Sequence, residues 1–283
     1  MNALVRSPAP SVPLRGVDFS SAPSRRKPIV EAQGWRQGSV VHLQGWRRHA
    51  SLPDWQDSLR EPGPWIGGFD LPFGLPRELV VAQGWPLSWA PLMRHYTCQQ
   101  RDDLRARFAA FCAGRPAGGK FAHRRCDGPA GASPSMKWVN PPVAWMLHAG
   151  VAGLLAAGVS LPGLHDGDPQ RLALEAYPGL LAREVLGRRS YKSDDVARQT
   201  PDREQARGEL LQALRAGCTR LGLRLQASPE QCQALCQEPR GDLLDAVLCL
   251  MQVAWSLDQP RHGWPPEVDP LEGWILTAPW AAA

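Results

Sequence analysis

Acidic residues at the ends of apolar runs are the side chains of this sequence best suited to chemistry. Asp18 ends the run Leu-Arg-Gly-Val-Asp, Asp70 ends Trp-Ile-Gly-Gly-Phe-Asp, and Glu175 ends Leu-Ala-Leu-Glu. Asp242 and Asp245 begin the run Asp-Leu-Leu-Asp-Ala-Val-Leu. Removing a carboxylate from water costs on the order of several kcal/mol, so each acid needs a partner if its neighbours are buried. Several such carboxylates in one chain predict a shared cation.

The spacing of these acids is compatible with a single site. Open α/β sheets bind ligands beyond the carboxyl ends of their strands, and the first three acids stand at predicted strand ends. Asp242 and Asp245 are three residues apart and would share one face of a helix. Brought together, these acids would either take up protons or hold a metal, and ligation by oxygen alone favours Mg²⁺ or Mn²⁺ over zinc. We therefore predict Asp18, Asp70, Asp242 and Asp245 as metal ligands and, with Glu175, as the catalytic acids.

Each acid also has a purely structural alternative. Asp18 could cap the turn that contains Ser20 and Ser21, and Asp70 could fix the turn at Pro72. Glu175 could pair with an arginine. Asp242 could be the N-cap of a helix, with Asp245 in the first turn, where a negative charge interacts favourably with the helix dipole.

Basic residues are the candidates for contacts with phosphate groups. Gly114 to Ser135 is a segment rich in Arg, Gly and Pro, and we interpret it as a loop inserted between helices. The predicted phosphate ligands are Lys137, Lys192, Arg124 and Arg125. A solvated surface position is the alternative for each lysine.

Hydrophobic patterns predict the elements that position these residues. The predicted strands are 14–19, 28–35, 39–47, 65–70 and 171–177, and the predicted helices lie at 52–60, 86–112, from 141, at 202–221 and at 241–257. This order indicates an α/β fold with a mixed sheet covered by helices. We expect residues 1–13 to be disordered and 14–283 to form a single domain with an insertion near 114–135.

Composition limits the class of protein and its partners. The net charge of +5 permits an anionic partner such as DNA or RNA without requiring one. Seven scattered cysteines without a Cys-x-x-Cys pair indicate a reducing compartment, and the first residues lack the apolar run of a signal peptide. We therefore expect a cytoplasmic protein. Val143 to Leu161 is apolar but rich in Ala and Gly, which favours a buried helix over a membrane span.

The order of the motifs resembles a known family. The stretches are Gly-Val-Asp-Phe-Ser-Ser-Ala, Gly-Phe-Asp-Leu-Pro-Phe-Gly-Leu-Pro, Arg-Arg-Cys-Asp, Glu-Ala-Tyr-Pro, Tyr-Lys and Asp-Leu-Leu-Asp-Ala, which begin at residues 16, 68, 124, 175, 191 and 242. Together they resemble domain-of-unknown-function family 429, whose members are predicted nucleases with a ribonuclease H-like fold. The resemblance covers most of the chain after the first dozen residues.

The resemblance implies a fold and roles for particular residues. It implies a five-stranded mixed sheet in which the second strand is antiparallel to the rest. Asp18, Asp70 and Asp245 would match the acids of the first strand, the fourth strand and the final helix, with Asp242 beside the last.

Three functions are compatible with these observations. The first is a metal-dependent nuclease in which the acids hold two cations. The second is a non-catalytic module that binds nucleic acid or protein on the same fold. The third is an actin-like phosphotransferase, which is disfavoured because the sequence has no second phosphate-binding glycine motif and no duplicated domain.

Overall fold

Strands with apolar residues on both faces form the centre of the molecule. The computed structural model describes residues 11–280, so most of the segment predicted to be disordered, 1–13, lies outside the described residues. The strands are β1 (Leu14–Asp18), β2 (Ile29–Gln37), β3 (Val40–His49), β4 (Trp65–Asp70), β5 (Val159–Ser160), β6 (Asp168–Glu175) and β7 (Arg224–Gln226). They form one mixed sheet in the order β5-β6-β4-β1-β2-β3-β7, in which β2 alone is antiparallel to the other strands.

The number of strands corrects the sequence-based expectation. The sheet has seven strands rather than five. The five longer strands are those that the hydrophobic pattern predicts. The two additional ones, β5 and β7, contain two and three residues and lie at opposite edges of the sheet. A strand of two or three residues does not repeat the two-residue alternation, so its pattern cannot be recognised in the sequence.

Helices cover both faces of the sheet. They are α1 (Leu52–Leu59), α2 (Arg77–Ala82), α3 (Trp89–Thr97), α4 (Arg101–Ala113), α5 (Asp127–Ala130), α6 (Val143–Ala156), α7 (Pro178–Leu186), α8 (Pro201–Ala216), α9 (Pro229–Gln237) and α10 (Asp242–Ser256). Side chains of α1, α3, α4 and α6 form one hydrophobic core with Val17 and Phe69. Side chains of α7, α8 and α10 form a second core with Leu14 and Val30. Alternate residues of each central strand therefore face different helical layers.

The apolar stretch that begins at residue 143 forms a buried helix. Helix α6 ends at Ala156 and the chain then enters β5, and both Val151 and Leu154 of this helix are fully buried. Within residues 11–280, no helix combines the length and the hydrophobicity that crossing a membrane requires.

The segment from 114 to 135 is more than a peripheral loop. It contains the short helix α5, and its residues Ala122, Arg124, Cys126 and Ala130 are buried. Burial of Arg124 requires partners for its charge, and those partners lie next to the site described below.

Candidate active site

Asp18 and Asp70 are neighbours at the same edge of the sheet. Each is the last residue of its strand, and the two are paired in the register of the parallel strands β1 and β4. Adjacent strands lie about 4.8 Å apart, so the two carboxylates leave the sheet side by side. Both side chains are on the face that α10 covers, because Gly16 and Gly68, two residues earlier in each strand, lie directly against that helix.

These two glycines set the distance between the sheet and α10. A Cβ atom at Gly16 would lie 2.1 Å from the carbonyl oxygen of Ala246, and one at Gly68 would lie 2.8 Å from that of Cys249. Only glycine permits such close approach of the two backbones. The Gly-x-Asp sequence at each strand end therefore places an acid next to the first turn of α10.

The first turn of α10 supplies Asp242 and Asp245. Asp245 is completely buried, and both of its oxygens are engaged: Oδ1 accepts a hydrogen bond from the Tyr191 hydroxyl and Oδ2 accepts one from the Lys192 ammonium. Asp242 lies one turn nearer the surface and lines the cavity described below. Gly241 precedes the helix with a φ of 76°, a conformation that glycine adopts without strain.

Burial and repulsion between acids dominate the electrostatics of the site. Burial, followed by the charge of Asp245, raises the pKa of Asp18 well above its usual 3.8. The same two causes raise the pKa of Asp70 to about 7. Burial and then the charges of Glu238 and Asp245 raise the pKa of Asp242 to about 6. Lys192 opposes the rise in all three, but its single charge does not balance the cluster.

The side chains of Asp18 and Asp70 lack a protein partner. Among the residues that the structure describes, neither carboxylate accepts a hydrogen bond or forms a salt bridge, and both are partly exposed to a cavity. This differs from Asp245, whose charge is matched by Lys192. Two adjacent carboxylates without a cation form an electrostatically unsatisfied pair.

The cavity in front of the acids has a volume of about 650 Å³. Besides the acids, its lining includes the cations Lys27, Lys192 and Arg240 and the apolar residues Pro142, Val143 and Met146. Lys27 forms an ion pair with Asp194 at the rim, which joins the loop after β1 to the loop after α7. The size is that of a small-molecule site, for which roughly 300–1,000 Å³ is typical.

Glu175 has a structural partner and does not stand free like Asp18 and Asp70. The Arg124 guanidinium donates two hydrogen bonds of 2.7 Å to its two oxygens, and the Phe73 amide donates a third of 2.9 Å. The sequence predicts Glu175 as a catalytic acid, but this geometry corresponds to the arginine-paired alternative.

Arg124 does not lie where a phosphate could use its donors. Besides the two bonds to Glu175, it donates to Asp127 Oδ1 from two nitrogens, at 3.1 and 2.9 Å, and to the Glu272 carbonyl at 3.0 Å. These five bonds use every N–H of the guanidinium. Burial disfavours the charged form, but the charges of Asp127 and Glu175 outweigh it and raise the pKa of Arg124 well above its usual value. Arg124 is therefore a fixed cation that supports the wall of the cavity.

The other predicted phosphate ligands are separated by the fold. Arg125 is exposed and its guanidinium stacks on the Trp280 ring, 3.9 Å from the centroid. Arg125 and Lys137 are not among the residues that line the cavity, whereas Lys192 lines it directly. The geometry thus argues against Arg125 and Lys137 as contacts for a phosphate held at Asp18 and Asp70.

Two further cations, Lys27 and Arg240, line the cavity and are not among the residues predicted from the sequence. Arg240 forms no salt bridge with any residue from 11 to 280, and Lys27 follows the exposed residues Arg25 and Arg26. Lys27 could have been found from the sequence. It belongs to the run Arg25-Arg26-Lys27 in the loop after Asp18, and this loop has to begin at the edge of the sheet where Asp18 lies. Arg240 carries no comparable signal.

The donor set fits a divalent cation only in part. Within residues 11–280, no three His, Cys, Asp or Glu side chains are grouped closely enough to hold a metal ion. Asp18 and Asp70 offer free carboxylate oxygens next to a cavity that can hold water, which suits Mg²⁺ or Mn²⁺. Asp245 does not offer a free oxygen, because Tyr191 and Lys192 occupy both.

Comparisons with known proteins add no relative. No protein-family model, no curated protein and no solved structure matches this chain. What the structure itself defines is an α/β protein with a mixed seven-stranded sheet and a cavity lined by a carboxylate pair. The resemblance to domain-of-unknown-function family 429 stays a prediction from the motifs.

Proposed function

We propose that this protein is a metal-dependent nuclease that hydrolyses phosphodiester bonds in DNA or RNA. The observation that carries the proposal is the pair Asp18 and Asp70, adjacent at the carboxyl ends of parallel strands, open to a cavity and without a cation from the protein. A fold retains such repulsion at a stability cost when a ligand relieves it. Mg²⁺ or Mn²⁺ is the ligand that two carboxylates and water suit best.

The architecture supports a ribonuclease H-like relationship. The five longer strands form a mixed sheet in which β2 alone is antiparallel, and the final helix lies against the central strands, as the resemblance implies. The two short edge strands extend that sheet without changing the order of its centre. Fold by itself does not establish activity, so the argument for hydrolysis rests on the site.

The roles of the side chains follow from their positions. Asp18 and Asp70 would hold the cation, which when bound activates water and neutralises charge on the phosphodiester. Arg240 and Lys192 line the same cavity and would contact phosphate oxygens. Arg25 and Arg26 are exposed in the loop that forms the rim, where a nucleic-acid backbone would pass.

The test is a cleavage assay with purified full-length protein. Single-stranded, duplex and branched DNA and single-stranded RNA would each be incubated with Mg²⁺, Mn²⁺ or EDTA, in parallel with Asp18→Asn. We expect cleavage that requires the metal and is lost in the variant, with single strands favoured because the cavity is small. Activity that survives EDTA, or that Asp18→Asn retains, would contradict the proposal.

A non-catalytic binding module is the second candidate. The observation in its favour is the engagement of Asp245 by Lys192, since it leaves two rather than three free acids beside the cavity. Such a module would bind DNA, RNA or a protein through the basic rim without cleaving it. Retention of labelled oligonucleotides without any metal-dependent cleavage would favour this second candidate.

A further inference from the structure

Lys192 is built into the acidic cluster. Its side chain extends from the loop after α7 to α10, where the ammonium contacts Asp245, and the side chain of Lys192 is 40% exposed while that of Asp245 is inaccessible. One side of the lysine faces the cavity and the other faces a buried acid. Most surface lysines have neither neighbour.

The backbone around Lys192 is held in place on both sides. The Arg207 guanidinium donates a hydrogen bond of 2.8 Å to the carbonyl of Tyr191, and the Ser190 hydroxyl donates one of 3.0 Å to the carbonyl of Lys192. A Cβ at Gly241 would lie 2.8 Å from the Cβ of Lys192, so the start of α10 is shaped to admit this residue. The position of the ammonium is therefore a property of the fold.

Apart from Asp242, which lies nearer the surface, the charges of the cluster divide into two groups. Asp245 and Lys192 neutralise each other. Asp18 and Asp70 remain as two carboxylates whose combined charge equals that of one divalent ion. A second divalent ion beside Asp245 would have to displace the ammonium or stand next to it, and two cations repel strongly in a partly buried site.

We propose that the site binds one divalent cation, between Asp18 and Asp70, and that the Lys192 ammonium takes the place that a second cation would have at Asp245. This inference rests on the proposed function, and it replaces the two cations expected from the sequence with one ion and one lysine. Lys192 is thus a positioning residue that fixes Asp245 and sets the number of ions bound.

The experiment counts the ions bound by the intact chain. Mn²⁺ would be titrated into metal-free protein by calorimetry, with free Mn²⁺ followed by electron paramagnetic resonance. We expect one ion per chain for the parent and two for Lys192→Met, which keeps the length of the side chain and removes its charge. Lys120→Met, an exposed lysine away from the cavity, should bind one.

Two further variants guard against misfolding and identify the ligand of the second ion. Lys192→Leu removes both the charge and the hydrogen-bond donor with a different side-chain shape. It should also bind two ions, and it replaces the methionine variant if that one does not fold. The double variant Lys192→Met with Asp245→Asn should return to one ion, because the second ion needs Asp245.

The outcomes separate this inference from the proposed function. Two ions bound by the parent, or one ion bound by every folded Lys192 variant, would overturn the role of Lys192 and leave a metal-dependent nuclease possible. No ion bound by the parent at millimolar Mn²⁺ would instead contradict the proposed function itself.

Discussion

Replacement of Asp70 by Asn should stabilise the metal-free protein at neutral pH. Burial and then the charge of Asp245 raise the pKa of Asp70 from 3.8 to about 7. Between these two values the folded protein holds a proton that the unfolded chain has lost. The stabilisation from this proton is complete below pH 3.8 and disappears as the pH rises to about 7.

The interval between the two pKa values limits the size of the effect. At about 1.4 kcal/mol per pKa unit, the free energy of unfolding lost by pH 8 is at most about 4 kcal/mol. Asp70 is partly exposed to the cavity, so water screens its charge, and we expect roughly half of that limit, about 2 kcal/mol. For a chain of 283 residues, with an unfolding entropy of about 2.1 cal/mol/K per residue, that gain in Asp70→Asn corresponds to a rise in Tm of roughly 3–4 °C.

The assay is urea denaturation in EDTA at pH 5 and pH 8, with Asp166→Asn as an exposed control. Asp70→Asn should be more stable than the parent at pH 8, with about a third of that difference at pH 5, and the control should show no such dependence. Added Mn²⁺ should stabilise the parent more than the variant. If Asp70→Asn were less stable than the parent at pH 8 in EDTA, the carboxylate would have a favourable contact and the reasoning from repulsion would be refuted.

Three other substitutions test the scaffold and the rim. Gly16→Ala should cost about 3 kcal/mol or more in chemical denaturation because its Cβ would collide with the backbone of α10, whereas Gly45→Ala, with open space around it, should change little. Arg124→Met should lower the free energy of unfolding by about 3–5 kcal/mol because it leaves buried acids unpaired. Arg125→Met at the surface should lower it by less than about 1 kcal/mol. Equal losses in urea denaturation would contradict the role of Arg124 as a structural cation. Arg26→Ala should lower the salt dependence of oligonucleotide binding by about one counterion in anisotropy titrations, and an unchanged slope would place Arg26 outside the interface.

The positions of the strands and of the two free acids could be predicted from local patterns. β1 and β4 each end at an acid after a run rich in apolar residues, and β2 ends at the Gln37-Gly38 turn, so these limits are visible in the sequence. A glycine stands two residues before the acid at each of the β1 and β4 ends, and the structure shows that the backbone of α10 approaches closely there. By contrast, β5 and β7 are strands because they pair with β6 and β3, and neither has a hydrophobic pattern long enough to predict it.

The partners of the charged residues could not be predicted in the same way. Glu175 and Arg124 are 51 residues apart, and Lys192 and Asp245 are 53 apart. Which cation meets which acid depends on how the loops return across the sheet, and the sequence contains no local signal for that. These long-range partners also give the two cations different roles. Arg124 supports the wall of the cavity, whereas Lys192 faces the cavity.

The contact between Gly16 and α10 has a mechanical consequence. Because backbone rests on backbone there, no layer of flexible side chains can absorb a shift of the helix. A slide by one residue, about 1.5 Å along the helix axis, would bring a different part of α10 against Gly16. The strand and the helix are therefore expected to move as one rigid body, and amide hydrogen exchange in both should be equally slow. Any opening of the cavity is left to the two surface loops that Lys27 and Asp194 join at its rim. Access to the site and the spacing of its acids are thus controlled by separate parts of the molecule.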